Sequence, residues 1–297
     1  MSINELKSIL KEKKLLFAAW SCEDKFYVSY QWINPFKKLF GKTILFDPKK
    51  HLSIYGKRKM NKMLLDLVRK EHPDFIFFWL ITDEFALETL DKIKRISPKT
   101  KTINFFGDDG ESFDNYTRYY SSFFDYCLVY PQLPIEIYKN EGLNHMFHSC
   151  GINTENLKPI NSEKKYDVTF VGTPKKNRYE SIMFLIKNNI NVKVFGAGWN
   201  IYSDLKDFYG GRLNNEDLTT IINQTKINLA FTQSYQKESQ LKSRIFEVLG
   251  CKSFLLSEYS PMVLKFLKEE KDLISFANNE DLLKKIRYYL KNEKERE

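Results

Sequence analysis

Short, continuous apolar runs separated by amphipathic stretches constrain this chain more than any other feature. "LLFAAW" (15–20), "KTILFD" (42–47), "DFIFFWL" (74–80), "KTINFFG" (101–107) and "YCLVYP" (126–131) are of strand length and do not alternate apolar with polar. Runs of that kind belong to strands covered on both faces, as in parallel sheets. The stretches between them keep one apolar face at helical spacing: Met60, Leu64, Leu65 and Val68 in one, Phe85, Leu87, Leu90 and Ile93 in another. Strand, helix, strand in succession predicts an α/β fold.

The second half repeats the theme. "YDVTFVG" (166–172), "INVKVFGAGW" (190–199), "INLAFT" (227–232), "SFLLSE" (253–258) and "KDLISF" (271–276) read as strands. "RYESIMFLIKNN", "NEDLTTIINQTK" and the closing "NEDLLKKIRYYLKNEKERE" read as helices, with Asn214 or Asn215 as an N-cap of the second. Between the halves, residues 151–165 are polar, contain a proline and keep no apolar period, which marks a linker. The expected organisation is two Rossmann-like domains, 1–155 and 156–297, facing a cleft, with the closing helix free to pack back on the first. The N-terminal "INELKSILKEKK" reads as a short amphipathic helix, a packing element rather than an anchor.

No apolar run approaches the ~18 residues that a membrane span needs, and the polar N-terminus does not resemble a secretion signal. Cys22, Cys127, Cys150 and Cys251 show no paired spacing, so reduced thiols in a cytoplasmic protein are expected. The formal charge of +9 is concentrated. Residues 37–70 hold eleven Lys and Arg against Asp47 and Asp66, and the rest of the chain sums to about zero. Phe40, Phe46 and Tyr55 are interleaved. Such a stretch attracts phosphate, whether of an anionic lipid surface, a diphosphate carrier or DNA. A solubilising face is the alternative.

In open α/β sheets ligands bind outside the carboxyl ends of the strands. In the second half, Gly172 and Thr173 end a strand and open a helix whose free amides can hold an anion, with Lys176 and Arg178 adding charge. Gly196 and Gly198 frame a turn that a base or phosphate can approach, or simply a tight strand exit, and Trp199 stacks on a ligand ring or, the favoured reading, plugs the sheet edge. In "LKSRIFEVLGCKSFLLSE", Arg244 and Glu247 stand three apart on one helical face. A surface ion pair is one reading. The other is a clamp: a cleft-facing Glu accepting both hydroxyls of a ribose, and an Arg pairing with phosphate. In the first half, Glu23 and Asp24 follow the first strand and Asp109 the fourth. Each is a candidate general base, and each is also an ordinary turn residue. The four His show no metal spacing, and no G-x-G-x-x-G follows a strand, which argues against a nicotinamide-dependent oxidoreductase.

The ordered set "YDVTFVGTPKKNRYE", "VKVFGAGW", "YGG", "INLAFT", "LKSRIFEVLGCKSFLLSEYSPMVLKFL" and "DLISFANNEDLLKKIRYYL" resembles the C-terminal half of the CgeB-like, GT-B-type glycosyltransferases. "FFGDDG", "FDYCLVYP" and "GIN" resemble the N-terminal half more faintly. The resemblance implies a nucleoside-diphosphate-sugar donor held by the second domain, with Glu247 on the ribose and Arg244 near the diphosphate. It implies no cofactor and no metal, because cationic side chains and helix amides neutralise the leaving diphosphate. Many retaining relatives carry a further Glu where this chain has Ser239, with Glu238 beside it, which leaves the stereochemistry open. The expected acceptor is an anionic one engaged by residues 37–70: a lipid-linked or cell-surface glycan at a membrane surface, or DNA in a base-modifying enzyme. A nucleotide-sugar-binding protein without activity is the non-enzymatic alternative.

Overall fold

The computed structural model describes all residues except 21, 23–28, 108 and 234–239, and the side chains of 29 and 30. The chain divides into two compact units, Met1–Cys150 and Gly151–Glu297.

The first unit runs α1 (Ile3–Lys11), β1 (Lys14–Ala19), α2 (Asn34–Leu39), β2 (Lys42–Phe46), α3 (Pro48–Glu71), β3 (Phe75–Trp79), α4 (Leu87–Ile96), β4 (Lys101–Phe106), α5 (Asp109–Ser112), α6 (Arg118–Tyr120), β5 (Tyr126–Val129), α7 (Ile135–Asn140) and β6 (Met146–His148). The six strands among the described residues are parallel, in the order β2-β1-β3-β4-β5-β6. β1 shows why its sequence is a continuous apolar run. Leu16 and Ala18 enter one core cluster, while Leu15, Phe17 and Ala19 enter another that includes Phe77 and Phe105. Successive side chains point to opposite faces, and both faces are covered. The sixth strand, three residues with an exposed Phe147 in the middle, carries no apolar run and is not foreseen by patterning.

The second unit runs β7 (Tyr166–Val171), α8 (Lys176–Lys187), β8 (Val192–Phe195), α9 (Asn215–Asn223), β9 (Thr225–Ala230), α10 (Ser243–Gly250), β10 (Leu255–Glu258), α11 (Pro261–Leu264), β11 (Ile274–Phe276), α12 (Asn279–Lys291) and α13 (Glu293–Arg296). Its parallel sheet has the order β11-β10-β9-β7-β8. The order reverses between β7 and β9, so the carboxyl ends of those two strands flank the crevice where this topology takes ligands. α12 packs on α8, β9 and β11 of the same unit. Both units are thus Rossmann-like.

Two expectations need correction. The helix expected from residue 57 begins at Pro48, and Gly56 (φ 74°, ψ 163°) breaks it, a left-handed conformation that glycine adopts without a Cβ penalty. α1 packs only in part: it is closed by a capping box between Ser2 and Glu5 and its carboxyl end meets α2 and the start of β2, yet none of its residues is buried. Periodicity shows that one face is apolar, not that another element meets it. All four cysteines are free. Among the described residues, no helix is long and apolar enough to cross a membrane.

Candidate functional site

Local sequence determines how the helices of the second unit begin. The side chains of Asn214, Ser260 and Asn278 accept the backbone N–H three residues on, closing the first turns of α9, α11 and α12. α8 and α10 differ. Their N-cap positions hold Lys175 and Lys242, and among the described residues neither start is closed by a side-chain hydrogen bond. These are the helices that follow β7 and β9. The two helix starts beside the crevice therefore keep amide donors, together with the positive end of the dipole, available to an anion.

The glycines shape the floor of the crevice. A Cβ on Gly196 (φ 124°) would lie 2.4 Å from the Gly172 carbonyl oxygen, so only glycine lets the exits of β7 and β8 pack backbone to backbone. The Gly172 amide donates to the Phe195 carbonyl at 2.9 Å, and the Gly172 carbonyl accepts the Trp199 Nε1–H at 2.6 Å. Trp199 is fully buried and stacks edge-on against Phe170. It is the plug, not a platform for a ligand ring. Gly198 (φ 92°) would bring a Cβ to 3.1 Å from the Pro174 ring. Thr173 is exposed, and its carbonyl accepts from Arg178 Nη1 at 2.9 Å.

The cations divide. Lys176 stands exposed in the first turn of α8, 4.0 Å from Glu180. Arg178 is 7% exposed and lies over the Phe170 ring, so its guanidinium braces the turn from inside. Arg244 Nε donates to the Val171 carbonyl at 3.1 Å, which ties α10 to the end of β7. Its Nη1 stands 2.6 Å from Glu247 Oε2. Glu247 is not the open cleft residue expected: it is 2% exposed. The ion pair is close but poorly directed. Among the described residues, Arg244 Nη1 and Glu247 Oε2 have no partner at hydrogen-bonding angles. A buried carboxylate oxygen in that state has hydrogen-bonding capacity to spare.

Three residues of this region carry no motif. The Glu258 carboxylate, at the end of β10, accepts the backbone N–H groups of Thr232 and Gln233 at 2.8 and 2.9 Å and so holds the loop after β9. Asn177 Nδ2 donates to Gln233 Oε1 at 3.2 Å, linking the first turn of α8 to that loop. A carboxylate at a strand's carboxyl end was the available signal for Glu258. Nothing local marks Asn177 or Gln233.

In the first unit, Glu23 and Asp24 lie outside the described residues. Asp109 is fully buried, and the Tyr138 hydroxyl donates to its Oδ2. Burial raises its pKa above the usual carboxylate range, opposed by the nearby Thr117 hydroxyl, by the Tyr138 hydrogen bond and by the charge of His148. No acceptor hydroxyl can reach it while that enclosure stands. A raised folded pKa means that Asp109 stabilises the fold fully below its unfolded pKa, about 3.9, and that this contribution is lost as pH rises through the folded pKa. Asp109→Asn, which cannot titrate, should therefore gain melting temperature over the parent protein at pH 8 and not at pH 3.5. A pH-independent difference would contradict this. His145 and His148 each set Nε2 against a backbone carbonyl, of Ser121 and Leu133, at 2.8 and 2.9 Å. No group of three His, Cys, Asp or Glu among the described residues is placed to hold a metal ion.

The residues of 37–70 divide between two ends of the first sheet. Lys42 pairs with Glu71 at 2.5 Å near the amino ends of the strands. The start of α3, beyond the carboxyl end of β2, exposes Ile54 and Tyr55 and sets Lys59 Nζ 4.7 Å from the Tyr55 ring centre.

Residues 178–297 match the family model described as glycosyl transferase-like. No curated protein matches the chain in sequence. Several solved structures share its fold. The Anabaena protein Alr3699/HepE, solved in complex with UDP and glucose, superposes with a TM-score of 0.62 at 9% identity, over 96% of this chain and 92% of that one. A glycosyltransferase from Rickettsia africae gives 0.62 at 9% identity, over 94% and 88%. The UDP-GlcNAc 2-epimerase of Methanocaldococcus jannaschii gives 0.55 at 15% identity, over 93% and 92%. The α/β fold with two parallel sheets is that of GT-B glycosyltransferases.

Proposed function

We propose that this chain is a glycosyltransferase that moves a sugar from a nucleoside-diphosphate donor, bound by the second unit, to a hydroxyl acceptor. One observation carries the reading. Two helix starts whose N-cap residue makes no side-chain capping hydrogen bond, those of α8 after β7 and α10 after β9, stand at the strands that flank the crevice. The family-model match over residues 178–297 covers the same elements. A diphosphate gains negative charge as the glycosidic bond breaks, and preorganised amides that meet this charge lower the barrier; losing one such donor typically costs about 3 kcal/mol. In this reading the amides of α8 and α10, with Lys176, supply the neutralisation, and neither a metal nor a cofactor takes part. The ribose hydroxyls donate to Glu247, whose Oε2 lacks a directed partner among the described residues, while Arg244 holds that carboxylate in place. Arg178 supports the Gly172–Lys175 turn.

For an inverting route, Glu23 or Asp24, which follow β1 in the sequence, takes the proton of the acceptor hydroxyl. The acceptor is an anionic glycan, cell-surface or lipid-linked, engaged by the basic and aromatic start of α3. Within this reading the chain belongs with the CgeB-like group and works in the cytoplasm, with its four free thiols in keeping with a reducing compartment. The epimerase of the same fold gives a second reading specific weight: a sugar nucleotide bound in the same crevice and rearranged without transfer.

Melting temperature in the presence of nucleoside diphosphates and their sugars tests the donor site. At a hundredfold excess over Kd a ligand stabilises by about 2.7 kcal/mol, so one nucleotide family should raise the midpoint by several degrees. A panel without effect would remove the proposal. Release of nucleoside diphosphate only when acceptor is added separates transfer from epimerisation.

A further inference from the structure

We propose that α1 is an interfacial helix that docks the first unit onto an anionic lipid surface. This does not rest on the transferase reading. Ile3, Leu6 and Ile9 recur at a spacing of three and so share one side of the helix. They are 73%, 41% and 47% exposed. A helix of this length is marginal in water by itself. Here its first turn is closed by its own cap and its last turn is tied to the start of β2, but its apolar side is exposed. Ser2 and Glu5 close its start, with the Ser2 amide donating to Glu5 at 2.6 Å and the Glu5 amide to Ser2 at 3.2 Å. At its other end the Gly41 amide donates to the Leu10 carbonyl at 3.3 Å. A Cβ on Gly41 would lie 2.2 Å from the Lys11 carbonyl oxygen, so the approach of α1 to the start of β2 is built around a glycine. The structure thus fixes the helix while leaving its apolar side uncovered.

The charge around that end identifies what covers it. Lys11, Lys13 and Lys14 lead from α1 into β1, and Lys37, Lys38 and Lys42 lead from α2 into β2. The carboxylates among them are Glu12, Glu71 and Asp74, of which Asp74 pairs with Lys13 at 3.0 Å and Glu71 with Lys42 at 2.5 Å. With Glu5 and Lys7 of the helix itself counted, cations are still in excess on α1 and at the end where it leads into β1. An exposed apolar helix face bordered by lysines is what a bilayer interface with anionic headgroups accepts: the side chains enter the boundary with the acyl chains and the lysines meet the headgroups. A second copy of this chain would bring the same cations against themselves.

The test is co-sedimentation of the full chain with vesicles of phosphatidylcholine containing 30% phosphatidylglycerol (about the anionic share at which lysine attraction is appreciable) and with phosphatidylcholine alone. We expect retention on the anionic vesicles, at least a tenfold loss on neutral ones, and at least a tenfold loss for Ile3→Asn/Leu6→Asn/Ile9→Asn. These positions are exposed, so the triple variant should keep the parental circular dichroism and melting temperature. Equal retention of the triple variant, equal retention on neutral vesicles, or no retention at all would overturn the proposal. So would a concentration-dependent dimer in analytical ultracentrifugation that the triple variant abolishes, since the apolar side would then belong to a second copy.

Discussion

Arg244→Ala should destabilise the second unit by about 3–5 kcal/mol, more than Glu247→Ala does, although the arginine is the more exposed partner. The reason is what each variant leaves behind. Without Arg244, Glu247 remains with a side chain only 3% exposed and no countercharge among the described residues. Removing one partner of a buried ion pair typically costs about 3–5 kcal/mol, because the other charge stays desolvated. Without Glu247, Arg244 is still 21% exposed and still donates to the Val171 carbonyl, so its charge is partly hydrated. That cost should be nearer the 1–3 kcal/mol of a single group left short of a partner. The donor readout should run the other way. Glu247→Ala should weaken binding of the best nucleoside diphosphate in calorimetry at least tenfold, about 1.4 kcal/mol. Glu247→Gln should retain more stability than Glu247→Ala while showing much of the loss of affinity. Equal destabilisation by the two alanine variants, with affinity unchanged in Glu247→Ala, would reduce the pair to a structural one.

Trp199→Ala should cost about 3–5 kcal/mol as well, by a different route. The indole is fully buried, and replacing a buried Trp with Ala leaves a cavity that the surroundings fill only in part. In a unit of this size such a loss corresponds to a fall of roughly 10 °C in melting temperature. It also strips the Gly172 carbonyl of its 2.6 Å hydrogen bond, at the turn where α8 is launched. Donor affinity measured well below the midpoint should therefore fall less than stability does. Trp199→Phe keeps most of the apolar contact with Phe170 and should recover the larger part of the loss. If Trp199→Ala instead left the melting temperature within a degree or two and abolished nucleotide binding, the side chain would be a stacking surface and not a plug.

The strands and helices of both units were legible because their signal is local. β1 is apolar at every position from Leu15 to Ala19, and α9 and α12 open on Asn214 and Asn278 where side-chain caps belong. Arg244 and Glu247 share a helical face by spacing alone. What that spacing did not carry was where the face points: into the protein, against the end of β7, and not into open water. The same holds for Arg178, a formal cation among Lys175 and Lys176 that turns back on the Thr173 carbonyl and the Phe170 ring. Asp109 read as a turn residue or a base, and the packing of Tyr138 onto it encloses it. Glu258 was passed over because its role depends on a loop twenty-five residues away in sequence.

By itself, then, the order of residues determined the alternation of strand and helix, the double covering of the sheets, the lack of small polar caps ahead of α8 and α10, and the lysines crowded into 37–70. Those properties depend on neighbours within a turn or two of chain. Only the tertiary structure decided that β7 lies between β8 and β9, that Gly172 and Gly196 touch, that Glu247 and Trp199 are buried, and that the apolar side of α1 is left uncovered. Each of these depends on which distant element arrives at a given face. The hydrophobic effect that brings such elements together follows buried area and has no direction of its own, so a local pattern cannot name the partner.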